Sequence, residues 1–216
     1  MVYLHGWGSD ASAFLFVANK MRGYRNVLVD LYGFGSSPHP GCPLTVGDYA
    51  RGVMELMSAL GIKKAVIVGH SFGGRVAIEI AAKHGGVVSQ LVLVDSAGVR
   101  PRRGPRYYLK VLSAKIMKKF GREAKGSKDY RALSGPMKKT FVNVVNYDQT
   151  PLLKHVSAST AIFWGKKDDV TKPYMARTLK RKIKRSALFW LEDAGHFSFV
   201  EQSAKFLPVF KAFVGG

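Results

Sequence analysis

The sequence GHSFGG, residues 69–74, directly follows the apolar run AVIV at 65–68. Glycines on both sides of Ser71 permit a tight turn between a buried strand and a helix. Such a turn holds one side chain in an exposed, strained position, which is the setting of an enzyme nucleophile. The pattern G-x-S-x-G in this context therefore predicts that Ser71 is a nucleophile rather than part of a glycine-rich turn without chemistry.

Short apolar runs alternate with helical patterns along the rest of the chain. Each run is rich in β-forming residues and is followed by Gly, Ser or Asp, as in a parallel sheet buried on both faces. This alternation predicts an α/β fold with right-handed crossovers and helices on both faces of the sheet. The predicted strands are 2–4, 26–30, 65–69, 91–95, 160–164 and 187–191, and the predicted helices are 10–22, 45–60, 72–84, 173–183 and 201–214.

The alternation stops between residues 100 and 159. The segment 107–120 predicts an amphipathic basic helix, and Gly and Pro residues punctuate the sequence that follows. An excursion of this length is too long for a simple connection between two strands. We therefore expect a helical cap at 100–159, inserted into an α/β core formed by 1–99 and 160–216.

Composition narrows the class of protein. The 216 residues contain 34 Lys and Arg against 14 Asp and Glu, a formal charge of +20. This excess favours attraction to anionic partners, but no nucleic-acid-binding signature accompanies it, so we expect a solvated basic surface and no specific nucleic acid. A single cysteine excludes an internal disulfide. No apolar run approaches the ~20 residues that span a bilayer, so we expect no membrane span and a cytoplasmic location.

A serine hydroxyl needs a general base, and the base needs an acid to orient it. Of the six histidines, His196 is favoured, because it lies in a Gly-preceded loop after the last predicted strand and that loop can reach the strand ends. Asp168 follows the fifth predicted strand and fits the chain order Ser, Asp, His. Its neighbour Asp169 and the earlier Asp95 remain alternatives for the acid.

An oxyanion intermediate needs two N–H donors. The N–H of Phe72, next to the nucleophile, is the first, and the N–H of Trp7, in the glycine-flanked loop after the first strand, is the second. The residues expected to contact the substrate are Gly6, Trp7, His70 and Phe197. The sequence contains no evident metal-ligand cluster and no dinucleotide-binding motif, so we expect no metal and no cofactor.

Five stretches of the chain resemble the α/β-hydrolase superfamily, in particular lid-bearing serine hydrolases similar to carboxylesterases and pimeloyl-carrier-protein methyl esterases. They are His5–Gly8, Asp30–Ser37, Gly69–Gly74, Trp164–Asp168 and Gly195–Phe197, which occur in the family's order across almost the whole chain. The resemblance implies that Ser71, Asp168 and His196 form a catalytic triad. It also implies that the N–H groups of Trp7 and Phe72 form the oxyanion hole and that the cap selects the substrate.

The sequence departs from the family pattern in two places. Members usually have one or two strands before the His-Gly loop, whereas here the first strand begins at Val2, so we expect about six strands without the usual antiparallel edge. The family often has a proline four residues after the acid. Pro173 lies five residues after Asp168 and four after Asp169, which keeps Asp169 as an alternative.

The resemblance and the motifs together predict a serine hydrolase that cleaves carboxylic esters of small to medium acyl groups through an acyl-enzyme. The same triad also serves carbon–carbon bond hydrolysis of a diketo acid, thioester hydrolysis and perhydrolysis. Some relatives with the triad act as ligand receptors with slow hydrolysis. The cations of the expected cap further suggest an acidic or carrier-bound substrate, steered to the site by its charge.

Overall fold

The computed structural model describes residues 1–101, Tyr130 and 133–216. Six strands form a sheet in the order β2-β1-β3-β4-β5-β6, and every neighbouring pair is parallel. The strands are β1 (Val2–Leu4), β2 (Val27–Val29), β3 (Ala65–His70), β4 (Val88–Val94), β5 (Ser159–Gly165) and β6 (Ser186–Leu191). The predicted six-stranded parallel α/β architecture is confirmed, and the described ranges contain no antiparallel strand.

Helices follow most of the strands. They are α1 (Leu15–Lys20), α2 (Val46–Ala59), α3 (Phe72–Lys83), α4 (Gly135–Asn146), α5 (Pro173–Lys182), α6 (Ser198–Glu201) and α7 (Ser203–Gly215). Two predicted helices are divided in the structure. The first begins with a 3₁₀ turn at Ala11–Phe14, capped by Asp10, and the last is interrupted at Gln202, whose backbone is not helical.

The core lies on both faces of the sheet. Side chains alternate along β4, so that Leu91 and Leu93 pack on one face while Val92 and Val94 pack on the other. Helices α2, α3 and α5 cover the first face, and α1 and α7 cover the second. This double burial explains why the central strands read as continuous apolar runs. In the described part of the chain, no helix is long and apolar enough to cross a membrane.

Glycines at the turn between β3 and α3 bring three backbone segments into close contact. A Cβ on Gly69 would lie 2.5 Å from the carbonyl oxygen of Gly73, and a Cβ on Gly73 would overlap the carbonyl oxygen of Leu4. The Gly73 N–H donates to the carbonyl of His5 at 3.0 Å. The start of α3 is therefore fixed against the end of β1.

Much of the expected cap, including the predicted basic helix at 107–120, lies outside the described residues. The described part contains α4, which packs on the core. Leu44 donates its N–H to Thr140 Oγ1 at 2.9 Å and accepts a bond from Asn143 Nδ2 at 3.1 Å. The Phe141 ring lies 5.1 Å from the ring of Trp7. One end of the segment predicted as a cap thus reaches the loop after β1.

Candidate active site

Four polar residues follow successive strands at one edge of the sheet. Ser71 follows β3, Asp95 follows β4, Asp168 lies three residues beyond β5, and His196 lies five residues beyond β6. Because the carboxyl ends of parallel strands share an edge, these residues meet in the crevice where α/β proteins bind ligands.

Ser71 occupies a strained backbone position, with a φ of +50°. A left-handed conformation of this kind costs a non-glycine residue about 1–3 kcal/mol and persists where surrounding contacts hold it. Here the Ser71 N–H donates to Val94 at 3.1 Å, and its carbonyl accepts bonds from Gly74 at 3.1 Å and Ala97 at 3.0 Å. The turn aims Ser71 Oγ at His196 Nε2, 2.9 Å away.

His196 connects Ser71 to a buried carboxylate. Its Nδ1 lies 2.9 Å from Asp168 Oδ2. Since an ionised carboxylate only accepts hydrogen bonds, Nδ1 carries the proton and Nε2 is free to accept the Ser71 hydroxyl. Burial alone would raise the pKa of Asp168, but hydrogen bonds from His196 and Thr171 outweigh burial and lower it. The carboxylate is therefore held ionised beside the imidazole.

The two alternative acids lie elsewhere. Asp169 is exposed to solvent, whereas Asp168 is only 3% exposed. Asp95 is fully buried, and its carboxylate accepts bonds from Gly165 and Ser198. Among the described residues, no three His, Cys, Asp or Glu side chains are grouped so that they could hold a metal ion.

The loop after β1 lies directly against the serine. A Cβ added to Gly6 would stand 2.9 Å from His70 Nδ1 and 3.5 Å from Ser71 Cβ, so only glycine permits this approach. Trp7 follows in the same turn, which a bond from Ser9 N–H to the Gly6 carbonyl closes at 3.2 Å. Phe72 opens α3, and N–H groups in the first turn of a helix have no partner within the helix.

His5 supports this loop from beneath. The ring is fully buried, and its Nδ1 lies 2.7 Å from the Gly6 carbonyl while its Nε2 accepts the Leu31 N–H at 3.1 Å. Burial lowers the pKa of His5, which favours the neutral ring that both bonds require. His5 therefore ties the loop after β1 to the end of β2.

His70 lies under the loop that carries His196. Its ring is 1% exposed, and Nε2 donates to the His196 carbonyl at 2.7 Å. Burial lowers the pKa of His70 to about 3, so the ring is neutral. The predicted substrate contact of His70 thus falls on a side chain that the structure buries against the His196 loop.

A carboxylate supports the same loop from its outer side. Glu201 accepts the N–H of Gly195 at 2.7 Å and the N–H of Phe197 at 3.1 Å, the residues on either side of His196. The Phe197 ring itself is 45% exposed and lies 4.9 Å from the His70 ring, at the mouth of the crevice.

Aromatic side chains cluster around Trp7, in the loop after β1. The Trp7 ring lies 4.9 Å from Phe34 and 5.2 Å from Phe72, in edge-to-face contacts. The Phe141 ring of α4 lies 5.1 Å from that of Trp7. Phe72 is buried in this aromatic cluster, whereas Trp7, Phe34 and Phe141 are partly exposed.

Three side chains that support Asp168, His196 and the neighbouring loops were not predicted from the sequence. Thr171 donates to Asp168 Oδ2 through its hydroxyl at 2.5 Å and to Oδ1 through its N–H at 2.9 Å. Glu201 and Ser198 are the others. Thr171 and Glu201 make their hydrogen bonds within turns, and Ser198 bonds to Asp95 from a distant element. None of these contacts belongs to a motif that the sequence reveals.

Comparison with known proteins gives concordant matches. Residues 1–209 match the model of the Alpha/beta hydrolase family. Lipase 3 of Moraxella sp. (strain TA144) is 26% identical over 250 residues, which cover 100% of this chain and 77% of the lipase. An esterase from Exiguobacterium antarcticum has a TM-score of 0.81 at 24% identity, covering 100% of this chain and 91% of the esterase. A meta-cleavage product hydrolase from Pseudomonas fluorescens IP01 has a TM-score of 0.76 at 19% identity, covering 99% and 90%.

Proposed function

This chain belongs to the alpha/beta hydrolase family, and on that premise we propose that it is a serine hydrolase that cleaves carboxylic esters. The observation that carries the proposal is the continuous hydrogen-bonded chain from Ser71 through His196 to Asp168, with 2.9 Å at each of its two steps. A hydroxyl, a neutral imidazole and an ionised carboxylate in this order are the parts that nucleophilic acyl transfer needs.

The proposed reaction has two halves. His196 Nε2 takes the Ser71 proton as Oγ attacks the ester carbonyl, and the N–H groups of Trp7 and Phe72 stabilise the oxyanion. His196 then gives the proton to the departing alcohol, which leaves an acyl group on Ser71. A water molecule, deprotonated by His196 in turn, releases the acid. Asp168 keeps the imidazole in the required tautomer and stabilises its charged form.

The proposed substrate is an ester with an apolar acyl group of small to medium size. Support comes from the aromatic cluster of Trp7, Phe34, Phe72 and Phe141, which adjoins the loop that lies against Ser71. The similarity to a lipase over the full length of this chain agrees with an ester substrate.

The test is hydrolysis of a series of nitrophenyl esters, from acetate to laurate, by the wild type and by Ser71→Ala. We expect turnover by the wild type and its loss by at least about 10³-fold in the variant, since the nucleophile is gone. Ser89→Ala is the matched control, because Ser89 is exposed at the start of β4, at the opposite edge of the sheet. The preferred chain length measures the acyl pocket.

The other reactions open to this triad are separated by the same experiment. A folded wild-type protein that hydrolyses none of the esters would contradict the ester proposal. Turnover of a vinylogous diketo acid by that protein, lost in Ser71→Ala, would then assign carbon–carbon bond hydrolysis. Equal activity of the wild type and Ser71→Ala on any ester would place the chemistry away from Ser71.

A further inference from the structure

Asp95 is a buried carboxylate behind the proposed triad that takes no part in the proposed chemistry. Its Oδ1 accepts the Gly165 N–H at 2.8 Å. Its Oδ2 accepts both the N–H of Ser198 at 3.1 Å and the hydroxyl of Ser198 at 2.6 Å. Three donors therefore converge on one side chain that has no exposure to solvent.

The two donor residues, Gly165 and Ser198, flank the loops that carry Asp168 and His196. Gly165 ends β5 and stands three residues before Asp168. Ser198 opens α6 and stands two residues after His196. The Asp95 carboxylate thus bridges the loops whose tips must hold Asp168 and His196 at hydrogen-bonding distance.

The backbone of Asp95 takes part in the same junction. Its φ is +44°, and among the described residues only Ser71 shares a positive φ without being glycine. The Asp95 carbonyl lies 3.1 Å from the hydroxyl of Thr171, the residue that also contacts Asp168. A strained residue held by contacts on several sides is typical of functional sites.

We propose that Asp95 is a positioning residue, whose carboxylate fixes the separation of Asp168 from His196 by joining the loops that carry them. This inference rests on the proposed function. Both oxygens of Asp95 face hydrogen-bond donors of the two loops. An asparagine would turn an NH₂ group toward one of the donors and leave it without an acceptor. Burial raises the pKa of Asp95 to about 7, while the bonds from Ser198 and Gly165 act against that rise.

The test compares the wild type with Asp95→Asn and with Glu55→Gln. Glu55 is the matched control, because its carboxylate is exposed on α2, away from the two loops. For Asp95→Asn we expect kcat on the best nitrophenyl ester to fall about 10- to 100-fold, since a displacement of ~1 Å in a catalytic group costs about 10²-fold. KM should change by less than about threefold, because Asp95 is buried away from the substrate surface. Glu55→Gln should keep both constants.

A second readout separates positioning from a general loss of structure. The proton between His196 Nδ1 and Asp168 gives a low-field NMR signal that depends on the distance between them. We expect this signal to shift or vanish in Asp95→Asn and to stay in place in Glu55→Gln. Thermal unfolding of each variant establishes that the folded protein is being measured.

Ser198→Ala keeps the proposal testable if Asp95→Asn does not fold. This variant removes the 2.6 Å donor and leaves Asp95 in place. We expect a smaller fall in kcat, about 3- to 10-fold, with the same NMR shift. Wild-type kcat and an unmoved proton signal in both variants would overturn the proposal. A wild type without Ser71-dependent turnover would contradict the proposed function alone, because the NMR comparison would still decide the role of Asp95.

Discussion

At the scale of single residues, the buried contacts of Asp168 support its proposed role as the acid. Asp168 is held by His196 at one oxygen and by the N–H groups of Val170 and Thr171 at the other. These bonds stabilise its ionised form in a site from which water is largely excluded. The proline spacing in the sequence left Asp169 open as the acid, but spacing alone cannot say which of two neighbours turns inward.

The substitutions Asp168→Asn and Asp169→Asn test this assignment. We expect kcat to fall by about 10³- to 10⁴-fold in Asp168→Asn, because an amide no longer selects the tautomer with the proton on Nδ1. Asp169→Asn should stay within about twofold of the wild type, since its side chain is exposed. Steady-state kinetics on one ester give both values. A larger loss in Asp169→Asn than in Asp168→Asn would reverse the assignment.

At the scale of elements, the turn between β3 and α3 was predictable and the supports of the proposed triad were not. The G-x-S-x-G pattern needs only local geometry, because its glycines allow the close approach of a strand and a helix. Asp95, by contrast, was singled out only by its place after a strand. Its partners Gly165 and Ser198 come from elements 70 and 103 residues away, and only the folded sheet brings them together. Strand β4 also begins earlier than predicted, at Val88, since the polar residues before Leu91 masked its start.

The close packing at this turn predicts the effect of adding a single methyl group. In Gly73→Ala the new Cβ would overlap the carbonyl oxygen of Leu4, so the backbone must shift. We expect the free energy of unfolding to fall by about 1–3 kcal/mol, as for other overpacked sites. Gly86→Ala is the control, because nothing lies within 4 Å of its added Cβ, and it should change stability by less than about 1 kcal/mol. Urea unfolding measures both, and equal effects would contradict the packing argument.

At the scale of the whole molecule, charge is distributed unevenly between the amino ends and the carboxyl ends of the strands. Exposed cations precede several strands, whereas carboxylates follow them. The cations are Arg25, Lys63, Lys64, Lys184 and Arg185, and the carboxylates are Asp30, Asp95, Asp168, Asp169, Glu192 and Asp193. These cations lie at the amino ends of the strands, whereas Ser71 lies at the carboxyl ends. Lys166 and Lys167 also follow a strand on the side of Ser71, but they pair with Glu192 and Asp193.

The stability of the whole molecule should depend on pH through Asp95. Its pKa is raised to about 7 by burial, from about 3.9 in an unfolded chain. Between these values the folded protein keeps a proton that the unfolded chain releases, so this group makes the wild type less stable as pH rises from about 4 to about 7. Burial of His70, with its pKa lowered to about 3, acts in the opposite direction below about pH 6.5.

Asp95→Asn removes the first of these two contributions. We expect Tm of the variant minus Tm of the wild type to increase as pH rises from about 4 to about 7 and to level off above. Thermal unfolding at half-unit pH steps measures this difference, and Glu55→Gln should show no such increase. A difference that stays flat or decreases with pH would mean that Asp95 does not titrate in the fold as its burial implies.

Trapping the acyl-enzyme tests the proposed role of Ser71 as the nucleophile. The wild type is mixed with a nitrophenyl ester, quenched in acid during turnover and analysed by peptide mass spectrometry. We expect the mass of one acyl group on the peptide that contains Ser71, and no such mass in Ser71→Ala. Turnover of the ester with the acyl group on another residue would contradict the account, as would turnover without any acylated peptide.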